Sequence, residues 1–211
     1  MTGLMGGSSM SAALGLVALA LVPLALMTLT SFAKIAVVFS ALRNAIGASD
    51  VPSGAIVSAL ALALSVYTMG PVADAVAARS LALEPARRDT VEGLLEAARE
   101  PARSFLAKNA GTEETKMLLA LSADRGVARA DNDLSVLWAS FALAELKEAF
   151  ELGFFVYLPF LVLDLLVGHV LLALGVVGLS PVLMALPFKL LLFVAADGFL
   201  LVTRALLMSY G

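Results

Sequence analysis

The sequence has no cysteine among its 211 residues and a single histidine, His169. The lack of cysteine excludes disulfide frameworks, thiolate zinc sites and thiol nucleophiles, and one histidine cannot form a multi-histidine metal site within one chain. Charged residues make up only 15% and the net charge is −3, which argues against a nucleic-acid-binding protein. Hydrophobic residues reach 61%, well above the roughly 45–50% of soluble domains, so the composition indicates a membrane protein.

Most of the charged residues lie in the middle of the sequence, between residues 79 and 133. The flanking segments have few or no ionisable side chains, and a membrane-spanning helix needs about 20 predominantly apolar residues. Residues 10–33 and 52–73 each meet this length, and residues 152–210 are long enough for two passes. The distribution therefore predicts two pairs of hydrophobic helices separated by a charged segment.

The expected fold is all-α, with four long hydrophobic helices, some of them kinked, and a charged helical insert between the second and the third. Gly175 and Pro181 predict a turn between the last two helices. We therefore divide the sequence into an N-terminal hydrophobic helical pair at residues 1–78, the insert at 79–135, and a C-terminal hydrophobic hairpin at 136–211.

The charges around the first hydrophobic segment predict its orientation. No lysine or arginine precedes it, so the basic region of a cleavable signal peptide is missing and we expect the helix to be retained. Lys34 and Arg43 follow it, and the positive-inside rule places a loop at residues 34–50 in the cytoplasm. The insert then lies on the other side of the membrane with both termini. It is predicted to be helical and solvated, with one apolar face made of Val91, Leu94, Leu95 and Ala98.

Three ionisable residues in the C-terminal apolar helices need an explanation: Asp164, Lys189 and Asp197. Each costs roughly 2.5–3.5 kcal/mol at the centre of a membrane helix unless a partner, water or protein surrounds it. Asp164 and Lys189 lie at similar distances from the predicted turn, so a pair between them is a geometric possibility. His169 could relay protons, but a single histidine in an apolar helix is more often hydrogen-bonded to a neighbouring backbone carbonyl.

An acidic stripe, formed by Glu145, Glu148 and Glu151, marks the start of the predicted third helix. An acid–base site is disfavoured, because no nucleophile, metal cluster or electrophilic group accompanies the stripe. Two interpretations stay open: an amphipathic start to a membrane hairpin, or a contact in which Glu145 faces a lysine of a neighbouring subunit. The sequence therefore predicts no catalytic, cofactor-binding or metal-binding residues.

Several long blocks resemble the type III secretion export-gate family, which comprises the R subunit of the injectisome and its flagellar P counterpart. The blocks are LTSFAKIAVVFSALRNAIG at 29–47, EPARSFL at 100–106, ELKEAFELGF at 145–154, LPFLVLD at 158–164, ALPFKLLLFV at 185–194 and DGF at 197–199. Their order and spacing also resemble the family's, and the resemblance extends from residue 24 to the C-terminus.

This resemblance implies a non-enzymatic, pore-forming subunit that passes unfolded protein substrates across the bacterial inner membrane. The family's protein forms a homopentameric ring with the S and T gate subunits, beside the U and V export apparatus proteins, in a complex partly raised toward the periplasm. The resemblance also implies an inter-subunit ion pair between Glu145 and Lys189, which competes with the Asp164–Lys189 pair. The missing signal peptide favours the injectisome branch, and with it a role in virulence.

One stretch departs from the family's pattern. The family commonly carries a run of methionines in the hairpin turn, where they close the pore, whereas this sequence has Gly-Val-Val-Gly-Leu at residues 175–179. Valine is stiff at χ1 and methionine is adaptable. We therefore expect Val176, Val177 and Leu179 to form a hydrophobic constriction that excludes water but seals less pliably around a moving chain.

Two other classes of function compete with the export gate. An ion- or proton-coupled membrane transporter would use Asp164, His169, Lys189 and Asp197. An intramembrane hydrolase lacks a supporting serine–lysine or paired-aspartate pattern. The oligomeric state separates the first two hypotheses, because a gate subunit purifies as a multi-chain ring whereas a carrier acts alone or as a small symmetric oligomer.

Overall fold

A computed structural model describes residues 16, 20, 23–25, 27–47, 52–88, 90–176 and 178–210, and the regular elements among these residues are helices. They are α1 Phe32–Ile46, α2 Gly54–Thr68, α3 Gly70–Ala82, α4 Pro85–Arg88, α5 Val91–Asn109, α6 Thr112–Asp124, α7 Leu134–Ala173, α8 Pro181–Ala195 and α9 Gly198–Met208. The all-α prediction is confirmed.

Helix α1 forms the centre of the fold and overturns the expected loop at residues 34–50. Its apolar residues recur at helical spacing and are buried: Ile35, Val38, Phe39 and Leu42. This spacing favours a helix with one buried face, and it outweighs the two cationic residues on which the loop prediction rested. The helix ends at Gly47, whose left-handed backbone (φ 83°) suits a residue without a Cβ.

The predicted second span, residues 52–73, is a bent pair of helices. Ser53 caps α2 by accepting a hydrogen bond from the Ile56 N–H at 3.4 Å. Helices α2 and α3 meet at Met69 with a bend of 56°. Pro71 lies in the first turn of α3, where the missing N–H costs nothing because it would have no partner inside the helix.

Helix α7 is 40 residues long, which corresponds to about 60 Å. It begins at Leu134, so the expectation that Glu145 opens the third helix is wrong. The preceding turns are helical because Val136, Leu137 and Phe141 repeat at helical spacing and are buried. Pro159 lies inside α7 without ending it.

The C-terminal half of the hairpin is a second bent pair. The predicted turn is present: Gly175 is left-handed (φ 73°), and Pro181 begins α8. Helices α8 and α9 meet at a 59° bend, where Asp197 adopts a left-handed backbone (φ 50°). Among the described residues one helix, α7, is long and apolar enough to span a membrane, and up to four spans result if each of three bent pairs counts as one. Half of the residues of segment 10–33 lie outside the described residues.

The core lies where α1 packs along α7, flanked by α2 and α8. The two long helices approach closely, since a Cβ built on Gly153 would lie 3.1 Å from the Ala41 Cβ. The insert helices attach to the outside of this core: α5 packs on α3 and α7, and α6 packs on α7. The division into residues 1–78, 79–135 and 136–211 stays a prediction.

Candidate functional site

A buried cluster of charges, here called the Lys34 cluster, joins α1 to α7. Lys34 Nζ donates to Glu145 Oε1 at 3.0 Å and to Glu148 Oε2 at 2.7 Å. The Lys34 side chain is 1% exposed and that of Glu145 is 5% exposed. Tyr210 completes the cluster: its hydroxyl donates to Glu145 Oε2, and its ring lies 4.2 Å from Lys34 Nζ, within the range of a cation–π contact.

Helical geometry explains why these four groups meet. Glu145 and Glu148 are three residues apart, so they share a face of α7, and both can reach one lysine on the facing helix. The Tyr210 ring also stacks on Phe105 of α5 at a centroid distance of 6.4 Å. The cluster therefore ties the C-terminal end of the described chain to α1, α7 and the insert. Each buried charge has a partner, as the cost of burying an unpaired ion requires.

A second buried lysine, Lys189 on α8, forms the Lys189 cluster. Its Nζ donates to Asp164 Oδ2 on α7 at 2.7 Å and to the backbone carbonyl of Ala45 at 2.9 Å. Ala45 lies in the last turn of α1, where helix carbonyls lack partners and carry partial negative charge. Lys189 thus pairs with a carboxylate and satisfies a helix C-terminus at once. The Oδ1 atom of Asp164 accepts no hydrogen bond within the described part of the chain.

The two clusters hold α1 at its two ends. Near the start of α1, Lys34 binds Glu145. Near its end, the Ala45 carbonyl accepts a hydrogen bond from Lys189, and Lys189 also binds Asp164. Glu145 and Asp164 are separated by 19 positions on α7, a rise of about 28 Å. Polar bonds therefore fix α1 in register along α7, while the apolar residues between them supply the packing.

Hydroxyl groups join α1 to the α2–α3 bend. Ser31 Oγ donates to Ser65 Oγ at 3.2 Å and also bonds the hydroxyl of Thr68. Ser65 Oγ donates to Thr30 Oγ1 at 3.2 Å. Side-chain hydroxyls are a usual way to satisfy polar groups where a helix breaks inside an apolar region. This cluster therefore stabilises the bend beside the Lys34 cluster.

The insert attaches to α7 through a more exposed pair. Lys147 Nζ lies 3.3 Å from Glu114 Oε1 of α6. The Glu114 carboxylate accepts a hydrogen bond from the backbone N–H of Glu114 and lies beside the Lys147 ammonium. Both effects lower the pKa of the Glu114 carboxyl below its usual value. Gly111 permits this contact, because a Cβ there would lie 2.0 Å from a Glu114 carboxylate oxygen.

The residues named in advance as an inter-subunit pair, Glu145 and Lys189, are both buried, and each has a partner inside the chain. The structure does not bring them together; it pairs Lys189 with Asp164, the alternative that the sequence left open. Asp197 is exposed at the α8–α9 bend. His169 Nδ1 lies 2.7 Å from the Leu165 carbonyl oxygen, as expected of a single histidine in an apolar helix.

Two of the three predicted constriction residues lie at the exposed tip of the hairpin. Val176 is 36% exposed and Leu179 is 51% exposed, and both belong to the turn between α7 and α8. Val177 lies outside the described residues. The constriction itself stays a prediction.

Sequence reasoning missed the pairing of Lys34 with Glu145 and the part played by Tyr210. A signal was present, because Lys34 is the first ionisable residue of the sequence and sits between apolar runs, so it needed a partner. Glu145 was predicted to face a lysine of a neighbouring subunit, whereas it pairs with Lys34 of its own chain. Within the described part of the chain, no group of three or more His, Asp or Glu residues is arranged to hold a metal ion.

Comparison with known proteins gives consistent results along nearly the whole sequence. A family model described as the FliP family matches residues 15–206. The chain is 39% identical over 202 residues to the Yop proteins translocation protein R of Yersinia pestis, covering 92% of each chain. It is 38% identical over 203 residues to the hypersensitivity response secretion protein HrcR of Ralstonia nicotianae, covering 92% of this chain and 94% of the relative.

A flagellar relative is similar at nearly the same level. The chain is 36% identical over 197 residues to the flagellar biosynthetic protein FliP of Aquifex aeolicus, covering 91% of this chain and 82% of the relative. Proteins with virulence-associated and flagellar names therefore both match over most of their length.

Proposed function

The chain belongs to the FliP family, and we propose that it is a pore-forming subunit of a type III secretion export gate. As a member of this family it is a membrane component of a secretion export apparatus, and it is not an enzyme.

One observation carries the proposal: the long hairpin exposes its apolar surface in the single chain. Only 6% of the most apolar 18-residue window of α7 is buried. Phe150, Phe154 and Phe155 on this helix are each at least 60% exposed, yet the hairpin also carries the charged Lys189 cluster. Contiguous exposed apolar surface of this kind marks a contact with other chains or with lipid. Sister copies in a five-fold ring cover such a surface and shield its charges better than lipid does.

The ring places one hairpin turn from each copy around a common axis. Val176, Val177 and Leu179 then form a hydrophobic constriction, which closes a pore by excluding water. An unfolded secretion substrate passes when the turns move apart. Valine in place of methionine makes this closure stiffer.

The proposed setting follows the resemblance to the export-gate family. The ring sits in the bacterial inner membrane as a multi-pass assembly, partly raised toward the periplasm. Its neighbours are the S and T gate subunits and the U and V export apparatus proteins, and its substrates are unfolded secreted proteins. The helical pair (1–78) and the hairpin (136–211) form the gate, and the insert (79–135) forms the periplasmic side.

The Glu145–Lys189 pair between subunits stays a prediction. In the single chain both residues are engaged, with Lys34 and Asp164 respectively. An inter-subunit pair therefore requires two intra-chain contacts to open during assembly.

The alternative, an ion- or proton-coupled transporter, has less support. It needs Asp164, His169, Lys189 and Asp197 to face one route. Lys189 is 2% exposed and paired, and His169 is bound to its own helix. The printed names of the relatives describe translocation, secretion and flagellar biosynthesis.

The test is the mass of the complex extracted gently in detergent from cells that make the whole apparatus. We expect five copies of this chain together with other small membrane proteins. A monomer or small symmetric oligomer of this chain alone, retained under several mild detergents, would contradict the proposal and favour the transporter.

A further inference from the structure

Some charged side chains of the C-terminal hairpin have no partner inside the chain. Five of those in residues 134–176 and 178–210 form the ion pairs described above: Glu145, Lys147, Glu148, Asp164 and Lys189. The others are Glu151, Asp197 and Arg204, whose side chains form no ion pair or hydrogen bond with any described residue. A charge on an apolar helix is costly unless a partner, water or protein surrounds it, so these groups need a partner outside the single chain.

Glu151 lies on the outer face of α7. Ala149 and Gly153, two residues before and after it, are buried, and two residues correspond to slightly more than half a turn of an α-helix. The side chains one turn further along the same face, Phe154 and Phe155, are each more than half exposed. Glu151 therefore places a carboxylate at the edge of an exposed aromatic surface.

Arg204 occupies the corresponding position on α9. Val202 and Leu206, two residues before and after it, are buried, so Arg204 lies on the outer face of its helix. Leu200 and Met208, one turn away on either side, are each more than half exposed. Arg204 is therefore a single cation within an exposed apolar surface, and its charge is opposite to that of Glu151.

The two charges lie at the same level along the hairpin. Tyr210, just past the end of α9, bonds Glu145 of α7, which fixes one level shared by the two helices. Arg204 lies six positions before Tyr210, and Glu151 lies six positions after Glu145. Because α9 runs back along α7, both steps lead in the same direction, by about 9 Å along each helix.

An apolar groove of about 340 Å³ between α7, α8 and α9 supports this common level. Leu152 and Ala205, the sequence neighbours of the two charges, both line the groove. Glu151 and Arg204 themselves are not among its lining residues, and they form no ion pair with each other within the chain. They are thus level with each other but face away from the groove that separates their helices.

We propose that Arg204 of one copy pairs with Glu151 of the next copy. The inference rests on the proposed ring and names a contact that closes it. Rotation about one axis leaves every copy at the same height, so partners on hairpins that stand along this axis must be level. Two different surfaces of one chain make a head-to-tail contact, which generates a ring when the rotation closes. An arginine–carboxylate pair between two apolar surfaces fixes the direction and register of such a contact.

The other unpaired acid of the hairpin does not meet this requirement. Asp197 lies seven positions before Arg204, a rise of about 10 Å, and is therefore not level with it. The cation nearest to Glu151 along α7, Lys147, is already paired with Glu114. The described part of the hairpin thus leaves one unpaired acid and one unpaired base at a common level.

Charge reversal tests the pair in cells that make the whole apparatus. We expect Glu151→Arg and Arg204→Glu each to lower the share of this chain found in the extracted ring by about ten-fold, and the double variant to restore most of it. Asp197→Arg, which reverses an exposed charge at another level, should leave that share unchanged. A double variant no better than the single variants, or a loss with Asp197→Arg but not with Glu151→Arg, would overturn the proposal.

Cross-linking measures the contact without reversing a charge, because the chain has no cysteine of its own. One copy carries Arg204→Cys and one affinity tag, and a second carries Glu151→Cys and another tag. A short bifunctional thiol reagent should join the two tags several-fold more often than when Val162→Cys replaces Glu151→Cys. Val162 is exposed and lies on the same face of α7, about 16 Å further along. A dimer formed by Glu151→Cys alone would show a symmetric contact and contradict the proposal.

The native mass of the unmodified complex separates this inference from the proposed function. If the five-copy ring is present but the reversals leave it intact and the cross-link is no more frequent than the control, the ring stands and this contact is wrong. If the unmodified chain is monomeric, both are wrong. If Arg204→Cys cross-links to another apparatus protein, or if Arg204→Glu weakens the ring while Glu151→Arg does not, Arg204 faces that protein or a lipid headgroup and the proposal fails.

Discussion

Lys34 and Glu145 lie 111 residues apart in the sequence and form an ion pair of 3.0 Å in which both side chains are buried. The pair joins the start of α1 to the first third of α7, and Tyr210 contacts both residues of the pair. Glu148, whose side chain is 48% exposed, is a second acceptor for Lys34, so removal of Lys34 leaves the buried Glu145 without a compensating charge.

We expect Lys34→Met to destabilise the chain by about 3–5 kcal/mol, because Glu145 would remain as an uncompensated buried charge. The double variant Lys34→Met/Glu145→Leu should recover most of this loss. Thermal unfolding in detergent measures both. Lys116→Met is the matched control, since its pair with Glu113 is exposed and should matter by less than about 1 kcal/mol. A double variant as unstable as Lys34→Met would show that the uncompensated charge of Glu145 is not the main cause of the lost stability.

The partner of Lys189 can be identified by combining neutral substitutions. Lys189→Met alone should reduce the yield of folded chain strongly, because Asp164 would lose its cation. We expect Asp164→Asn to restore the yield in combination with Lys189→Met, as the 2.7 Å contact indicates. Glu145→Gln in the same combination should not restore it. If instead Glu145→Gln restored the yield of the assembled ring in combination with Lys189→Met and Asp164→Asn did not, the inter-subunit Glu145–Lys189 pair would be established.

The first turn of α6, and with it the contact of Glu114 with Lys147 on α7, should weaken in acid. The folded chain holds the pKa of Glu114 below its ordinary value of 4.5, so this carboxylate contributes stability that is fully present above the ordinary value. That contribution is lost as the pH falls through the lowered folded-state pKa. Hydrogen exchange of residues 112–124 measures this loss of stability when it is followed between about pH 3 and 6, the range in which carboxyl groups titrate. Glu114→Gln should remove this dependence, whereas Glu113→Gln, in an exposed pair, should leave it in place.

The constriction can be tested by ion leakage. If the proposed constriction exists, Val177→Gly should raise the leakage of ions through the assembled gate, because it removes apolar bulk there. Val177→Met should leave the gate closed, since a flexible apolar side chain fills the same space. Leu83→Gly, in a turn on the insert side, serves as the control. Unchanged leakage in Val177→Gly would count against the constriction.

Local patterns predicted much of the fold. The turn after α7 and the start of α8 follow from Gly175 and Pro181, and the helical insert follows from its apolar spacing. The sequence did not indicate that α1 is a helix buried between others, because two cations suggested a loop. Lys34 is buried because its partner Glu145 lies 111 positions away, which local periodicity does not encode.

The sequence predicted part of the candidate site. Asp164 and Lys189 stood out as ionisable groups in apolar segments, and a pair between them was one of the alternatives left open. Glu145 stood out as part of the acidic stripe, but its pairing with Lys34 and the part of Tyr210 were missed. Which acid meets which lysine depends on how α1 lies along α7. That placement is set by packing, such as the close approach at Gly153, and no spacing rule within one helix specifies it.

The separation of Lys34 from Glu145 has a consequence for biosynthesis. A ribosome adds about 5–20 residues per second, so Lys34 emerges about 6–22 seconds before the acid that neutralises it. During that interval the nascent chain carries an uncompensated ammonium group within an otherwise apolar segment. Helix α1 can therefore make its final contacts only after the first third of α7 has been synthesised.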